Sequence, residues 1–353
     1  MELLDNSVET IKSFEQLDVD QKFIFGTGIY SQAALSVMEF NSFVEENPTQ
    51  TSIMGKPICS LDLIPKDIVL LVGSSLYPFS ASAKLKNKGF IPLHLLYYLK
   101  KHKSKRLYFA EFESHFEKNR EAYGLLDESL NDKQSRDLLK SIIDFRLTAD
   151  INLLWGLKSL GEHYFEEFIN LGSDETFFDI GAYDGANSLR FSEITNGSGS
   201  IVMFEANPIQ QASLKTLFQN ENNKQLISSA LSDEDTNLYF DSNKGSSSRI
   251  ETQETETSIM VKAKRLDSLN LNCVPTFMKL DVEGAEMRVL NGATETIRKF
   301  RPRLAISVYH RPKDILEVFL FCQKNLPGAR YFLRQYTEGT DEIVLYCLPN
   351  LKT

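Results

Sequence analysis

Apolar runs punctuated by glycine divide this chain into segments of different rhythm. Residues 22–25 are apolar, Gly26-Thr27-Gly28 interrupts them, and residues 29–40 carry apolar side chains at helical spacing, which predicts a strand, a turn and a helix. A short strand is expected around Phe43. The apolar run 67–74 closes on Gly73 and Ser74 and predicts a strand buried on both faces, so residues 1–106 read as a smaller Rossmann-like α/β domain. Residues 107–172 hold few glycines, no proline and the only tryptophan, Trp155, and their helical pattern predicts a connector. From Glu175 onward strands and helices alternate, with strand candidates at 176–180, 201–204, 226–229, 277–280, 304–309 and 343–347. That alternation predicts a doubly wound sheet over residues 173–353. Residues 242–257, between the strand-like stretches NLYF and SIMVKA, are too polar for a core and predict a hairpin tip or lid.

Composition narrows the function classes. Hydrophobic residues make up 42% and charged residues 25% of the 353 positions, which fits a folded chain and excludes disordered, collagen-like and coiled-coil classes. With 39 Lys and Arg against 48 Asp and Glu the formal charge is -9, so nucleic acid would be repelled unless a local basic stripe prevailed. The basic run KKHKSKR at 100–106 reads as a solvated helix end. No apolar run approaches the roughly 18 residues needed to span a bilayer. The opening MELLDNSVETIKSF lacks the basic end and apolar stretch of a secretion signal, and a cytoplasmic location is expected. Cys59, Cys273, Cys322 and Cys347 lie far apart without a CxxC pair and read as reduced, mostly core residues.

Candidate chemistry gathers in four places. In FFDIGAYDGANS an apolar strand runs into a loop with Gly181 and Gly185, where backbone can approach a ligand, and with Asp179 and Asp184. A pyrophosphate pocket would present backbone amides, so two carboxylates favour a cationic or hydroxyl-rich ligand. In VMFEANP an acidic residue, Glu205, ends the next strand 24 positions beyond Gly181, where a carboxylate can accept from ribose hydroxyls. A glycine turn lined with aspartate and a ribose carboxylate together suggest S-adenosylmethionine, whose sulfonium and ammonium are positive. In KLDVEGAE three carboxylates, Asp281, Glu283 and Glu286, stand where a strand gives way to a helix. Asp281 at the strand tip is the functional candidate, and Glu286 has a structural role opposing a helix dipole. In ISVYHRP a further strand delivers His310 to the same edge.

These stretches, with SALSD, RLDSL and VLNGA between and after them, resemble the FkbM family of S-adenosylmethionine-dependent methyltransferases over about residues 164–347. The resemblance implies a class I methyltransferase sheet and O-methyl transfer to a sugar, glycan or secondary metabolite. It implies that Asp179, Gly181, Asp184 and Gly185 line the methionine part of the cofactor, that Glu205 holds the ribose and that Asn207 lies beside it. Ser232 and Asp233 would flank the adenine, and Asp281, Glu283 and His310 would face the acceptor, with His310 or Asp281 taking its proton. A divalent ion on Asp281, Glu283 and His310 would polarise the hydroxyl and is the less favoured arrangement, so no metal ligand is assigned. The amino-terminal unit resembles the nucleotide-binding-like domain found ahead of some of these enzymes, with FIFGTGIYS at its opening turn. Ser31 stands where the third glycine of a dinucleotide fingerprint would be, so a packing or dimerisation module is expected there, ahead of a nucleotide or nucleotide-sugar site. Two rival readings are an NAD-dependent enzyme, which position 31 disfavours, and a non-catalytic scaffold, which would be expected to lose Asp179, Asp184 and Glu205.

Overall fold

The computed structural model describes residues 4, 7–102, 107, 109–219, 221–241, 250–251 and 258–350. The chain divides into two units. The first comprises Met1–Tyr123, Lys133–Ser159 and Arg334–Glu342, and the second Gly124–Asp132, Leu160–Leu333 and Ile343–Thr353. By this division residues 107–123 and 133–159 fall in the first unit and 124–132 and 160–172 in the second. Helical periodicity records which face is apolar and says nothing of where that face packs. The helices of residues 107–172, Phe112–Lys118, Arg120–Ser129 and Lys133–Thr148, form where the spacing predicts them.

In the first unit the strands β1 (Phe23–Phe25), β2 (Ser42–Glu45), β3 (Ser52–Ile53), β4 (Lys56–Ser60), β5 (Val69–Val72) and β6 (Ile91–His94) make one sheet in the order β3-β4-β2-β1-β5-β6. All neighbours are parallel except β3 and β4. Phe23, Val44, Leu70, Val72, Leu85 and Phe90 pack as its core. The helix after the glycine turn spans only Ile29–Ala33 before tightening into a 3-10 turn. Ser31 is fully buried, and a Cβ built on Gly73 would fall 1.9 Å from its hydroxyl, so Ser31 packs inward against the end of β5. Residues Arg334–Glu342 complete the unit: Ser75 Oγ donates to Asp341 Oδ2 at 2.8 Å and Thr340 N to Ser75 O at 3.0 Å.

The second unit holds β7 (Thr176–Ile180), β8 (Ser200–Phe204), β9 (Lys224–Ile227), β10 (Ala230–Leu231), β11 (Thr236–Asp241), β12 (Ile250–Glu251), β13 (Ser258–Lys264), β14 (Phe277–Leu280), β15 (Arg303–Ser307), all but the last two residues of β16 (Arg330–Gln335), and β17 (Ile343–Leu348). Seven of these form a sheet in the order β16-β17-β15-β14-β7-β8-β9, with β17 antiparallel to β15 and the strands from β15 to β9 parallel. This is an α/β, Rossmann-like fold. The stretches NLYF and SIMVKA pair as antiparallel β11 and β13, and most of the predicted hairpin tip 242–257 lies outside the described residues, as do residues 103–106 of the basic run. Among the described residues no helix is long and apolar enough to cross a membrane. The four cysteines are free thiols, with Cys322 and Cys347 buried.

One face of the central strands sets up the site. Side chains alternate along a strand, and Phe177 and Asp179 of β7 are register partners of Phe277 and Lys279 of β14. The two phenylalanines stack with ring centroids 5.2 Å apart. Two residues on, toward the carboxyl end of the sheet, the same face presents a buried carboxylate beside a buried ammonium.

Candidate active site

Lys279 is the only charged residue in the buried strand β14, and burial works against its charge. Asp179, Asp281 and Glu205 outweigh that and raise its pKa above the usual lysine value. Its Nζ lies 3.2 Å from Asp179 Oδ1 and donates to the Gly181 carbonyl at 2.7 Å. Asp179 is fully buried, and its other oxygen accepts from Ser188 Oγ at 2.8 Å. Asp179 therefore fixes the Gly181 loop through Lys279, and its carboxylate is already engaged. Gly181 has φ +81°, and a Cβ there would fall 1.9 Å from the Asp281 carbonyl oxygen, so only glycine lets the two loops meet.

Glu205 ends β8. Its two oxygens accept from Tyr183 N at 2.8 Å and Asn207 N at 2.7 Å, and burial raises its pKa against those bonds. Asn207 caps the helix Pro208–Leu217 by accepting from Ile209 N at 3.0 Å. Asp184 is exposed and accepts from Ala186 N at 3.0 Å, turning the chain into the helix Ala186–Ile194, whose N-cap is Gly185. Ser232 and Asp233 form a separate cluster: Ser232 Oγ donates to Asp233 Oδ1 at 3.0 Å, and Arg288 Nε reaches the same oxygen at 2.8 Å.

Asp281, Glu283 and His310 do converge. His310 lies three residues past the end of β15, and its Nε2 is 3.6 Å from Asp281 Oδ1 and 3.5 Å from Glu283 Oε2. Its Nδ1 is 3.0 Å from Oε1 of Glu286, which also accepts from the backbone amides of Val282 and Gly284. Burial opposes a charge on His310, but Glu286, Asp281 and Glu283 overcome it and raise the pKa to about 9, so the imidazole is protonated at neutral pH. Burial likewise pushes Asp281 upward, and Lys279, His310 and a hydrogen bond from Tyr164 hold it below the usual carboxyl value. Tyr164 Oη donates to Asp281 Oδ2 at 2.8 Å and lies 3.0 Å from Ser307 Oγ. Glu283 and Tyr183, one in each loop at this edge, hold left-handed φ values of +55° and +47°, a strain of roughly 1–3 kcal/mol each that the surrounding structure sustains.

Five carboxyl groups, of Asp179, Glu205, Asp281, Glu283 and Glu286, thus stand around one ammonium and one imidazolium at the carboxyl edge of the sheet. Sequence reasoning missed Lys279, Tyr164 and the holding role of Glu286. A lone lysine inside an apolar strand was a readable signal for the first, since a buried charge requires a partner.

Residues 179–333 match the methyltransferase FkbM domain. The chain carries a methyltransferase FkbM domain. It is similar in structure, over 98% of its length, to methyltransferase FkbM from Methylobacillus flagellatus KT, 94% of which is covered, with a TM-score of 0.72 and 19% identity. At that identity the likeness speaks for the fold, and it extends over both units. Weaker likenesses, with TM-scores of 0.33 and 0.35, link the FkbM domain's chain to precorrin-6y C5,15-methyltransferase from Geobacter metallireducens GS-15 and to Aeropyrum pernix fibrillarin, the latter in complex with natively bound S-adenosyl-L-methionine. These share 12% and 14% identity, cover 52% of this chain each, and are themselves covered over 84% and 70%. No curated protein matches the sequence.

Proposed function

We propose that the FkbM domain transfers a methyl group from S-adenosylmethionine to a hydroxyl of a sugar, glycan or secondary metabolite. The observation that carries this reading is the excess of carboxylates over cations at one edge of the sheet, which suits a ligand bearing a sulfonium and an ammonium. The Gly181 loop and Glu205 would hold the donor, Glu205 through the ribose hydroxyls. When bound, the donor supplies an activated methyl group and a neutral thioether leaving group.

The chain's own residues position and hold protons. Lys279, clamped by Asp179, fixes the Gly181 carbonyl and so the first loop. Tyr164 holds one oxygen of Asp281, leaving Oδ1 directed at His310 to orient the acceptor hydroxyl and receive its proton as the oxygen–methyl bond forms. His310, already protonated, offsets the negative charge of the three carboxylates around it.

Incubating the protein with labelled S-adenosylmethionine and a panel of saccharides, nucleotide sugars and hydroxylated metabolites, followed by mass spectrometry, is expected to give a methyl ether. Asp281→Asn should lower turnover by roughly 100-fold or more, and His310→Ala should lower it too, with donor affinity little changed. Near-normal turnover in both variants would remove the pair from the mechanism.

A further inference from the structure

We propose that Asp281, Glu283 and His310 bind a divalent transition-metal ion that holds the acceptor through its hydroxyl oxygen. Asp281 Oδ1, Glu283 Oε2 and His310 Nε2 belong to a group whose donor atoms all lie within 4.8 Å of one another. Metal–ligand bonds of about 2.0–2.2 Å separate neighbouring donors by about 3.0–3.5 Å, close to the 3.5 and 3.6 Å found around Nε2.

Hydrogen bonding within the site does not account for this arrangement. The His310 side chain is only 5% exposed, yet neither of its ring nitrogens makes a hydrogen bond, and neither does the buried Asp281 Oδ1. Orphaned buried donors and acceptors cost about 1–3 kcal/mol each, and two of them face one another here. An ion that displaces the Nε2 proton of His310 and sits between them satisfies both.

The groups behind the three donors are those a metal site requires. A ligating histidine is oriented by a carboxylate or carbonyl at its other nitrogen, and a ligating carboxylate is itself hydrogen-bonded. His310 Nδ1 lies 3.0 Å from Glu286, which two backbone amides fix in place. The second oxygen of Asp281 is held by Tyr164, which in turn meets Ser307. Glu283 reaches the cluster from a left-handed backbone conformation that a loop without a constraint would relax.

One imidazole and two carboxylates suit manganese, iron or zinc better than calcium, and three protein ligands leave positions for an acceptor oxygen. Coordination there would lower the pKa of the acceptor hydroxyl, whose proton then passes to water, so Asp281 acts as a ligand when the ion is bound and as the base when it is not. This last step rests on the methyl-transfer reading; binding of the ion does not.

The test uses the full chain, stripped with a chelator and titrated with manganese chloride, with free Mn2+ followed by electron paramagnetic resonance. One saturable site per chain is expected, with a pulsed-resonance coupling to imidazole nitrogen that His310→Gln abolishes. Glu283→Gln, at the most exposed of the three ligands, should weaken binding at least about tenfold, and Glu286→Gln about 10- to 100-fold. Melting curves confirm that each variant is folded. Absence of stoichiometric binding by the wild type, lack of a nitrogen coupling, or unchanged binding in Glu283→Gln/His310→Gln would overturn the site. Calorimetry of the same stripped protein with S-adenosylmethionine keeps a failure of the metal apart from a failure of the methyl-transfer reading.

Discussion

Replacing Lys279 with methionine is expected to destabilise the second unit by about 3–5 kcal/mol, because it removes one partner of a buried ion pair and leaves the other charged. Asp179 is fully buried and would keep only the Ser188 hydroxyl. The Gly181 carbonyl would lose its 2.7 Å donor, so the loop at the strand tip would loosen as well. Thermal unfolding should show the transition of this unit falling by roughly 10 °C. The double variant Lys279→Met/Asp179→Asn should recover part of the loss, since it removes both charges together. A melting temperature unchanged in Lys279→Met would mean that the pair does not clamp the loop.

Gly181→Ala is expected to be nearly as damaging and to act on ligand binding as well as on stability. Two costs combine at this position. A methyl group would stand 1.9 Å from the backbone oxygen of Asp281, and no rotamer can relieve a contact between two main chains. The φ of +81° adds strain that alanine cannot adopt without penalty. Together these should cost about 2–4 kcal/mol and push the 181–185 and 281–284 loops apart. Circular dichroism melts and donor titration on the same sample measure the two effects, and a variant with wild-type stability and affinity would refute the close approach.

Much of this architecture was legible because local pattern and tertiary outcome agree. The strand 176–180 and the strand 277–280 lie where apolar runs ended by small or acidic residues predict them. Asp281, Glu283 and His310 come together because both of their strands end at the same edge of a parallel sheet, which strand-helix alternation implies. The state of Asp179 was not legible in the same way. Its neutralisation depends on β7 pairing with β14 in the register that sets residue 179 beside residue 279, and no local pattern specifies that register. Glu286 suits the first turn of its helix, as its position suggests, yet it is fully buried and holds both a loop and a histidine. Strand β16 escaped notice because Arg330 and Arg334 break up its apolar alternation, although Arg334 is buried with its guanidinium bonded to Ser135.

The central claim is that the carboxylate-rich edge of the second sheet receives a cationic methyl donor. Isothermal titration calorimetry of the intact chain, with S-adenosylmethionine in one series and NAD in another, tests it most directly. Saturable heat with S-adenosylmethionine alone, greatly weakened in Glu205→Ala, is the predicted result. Heat with NAD and none with S-adenosylmethionine would contradict it.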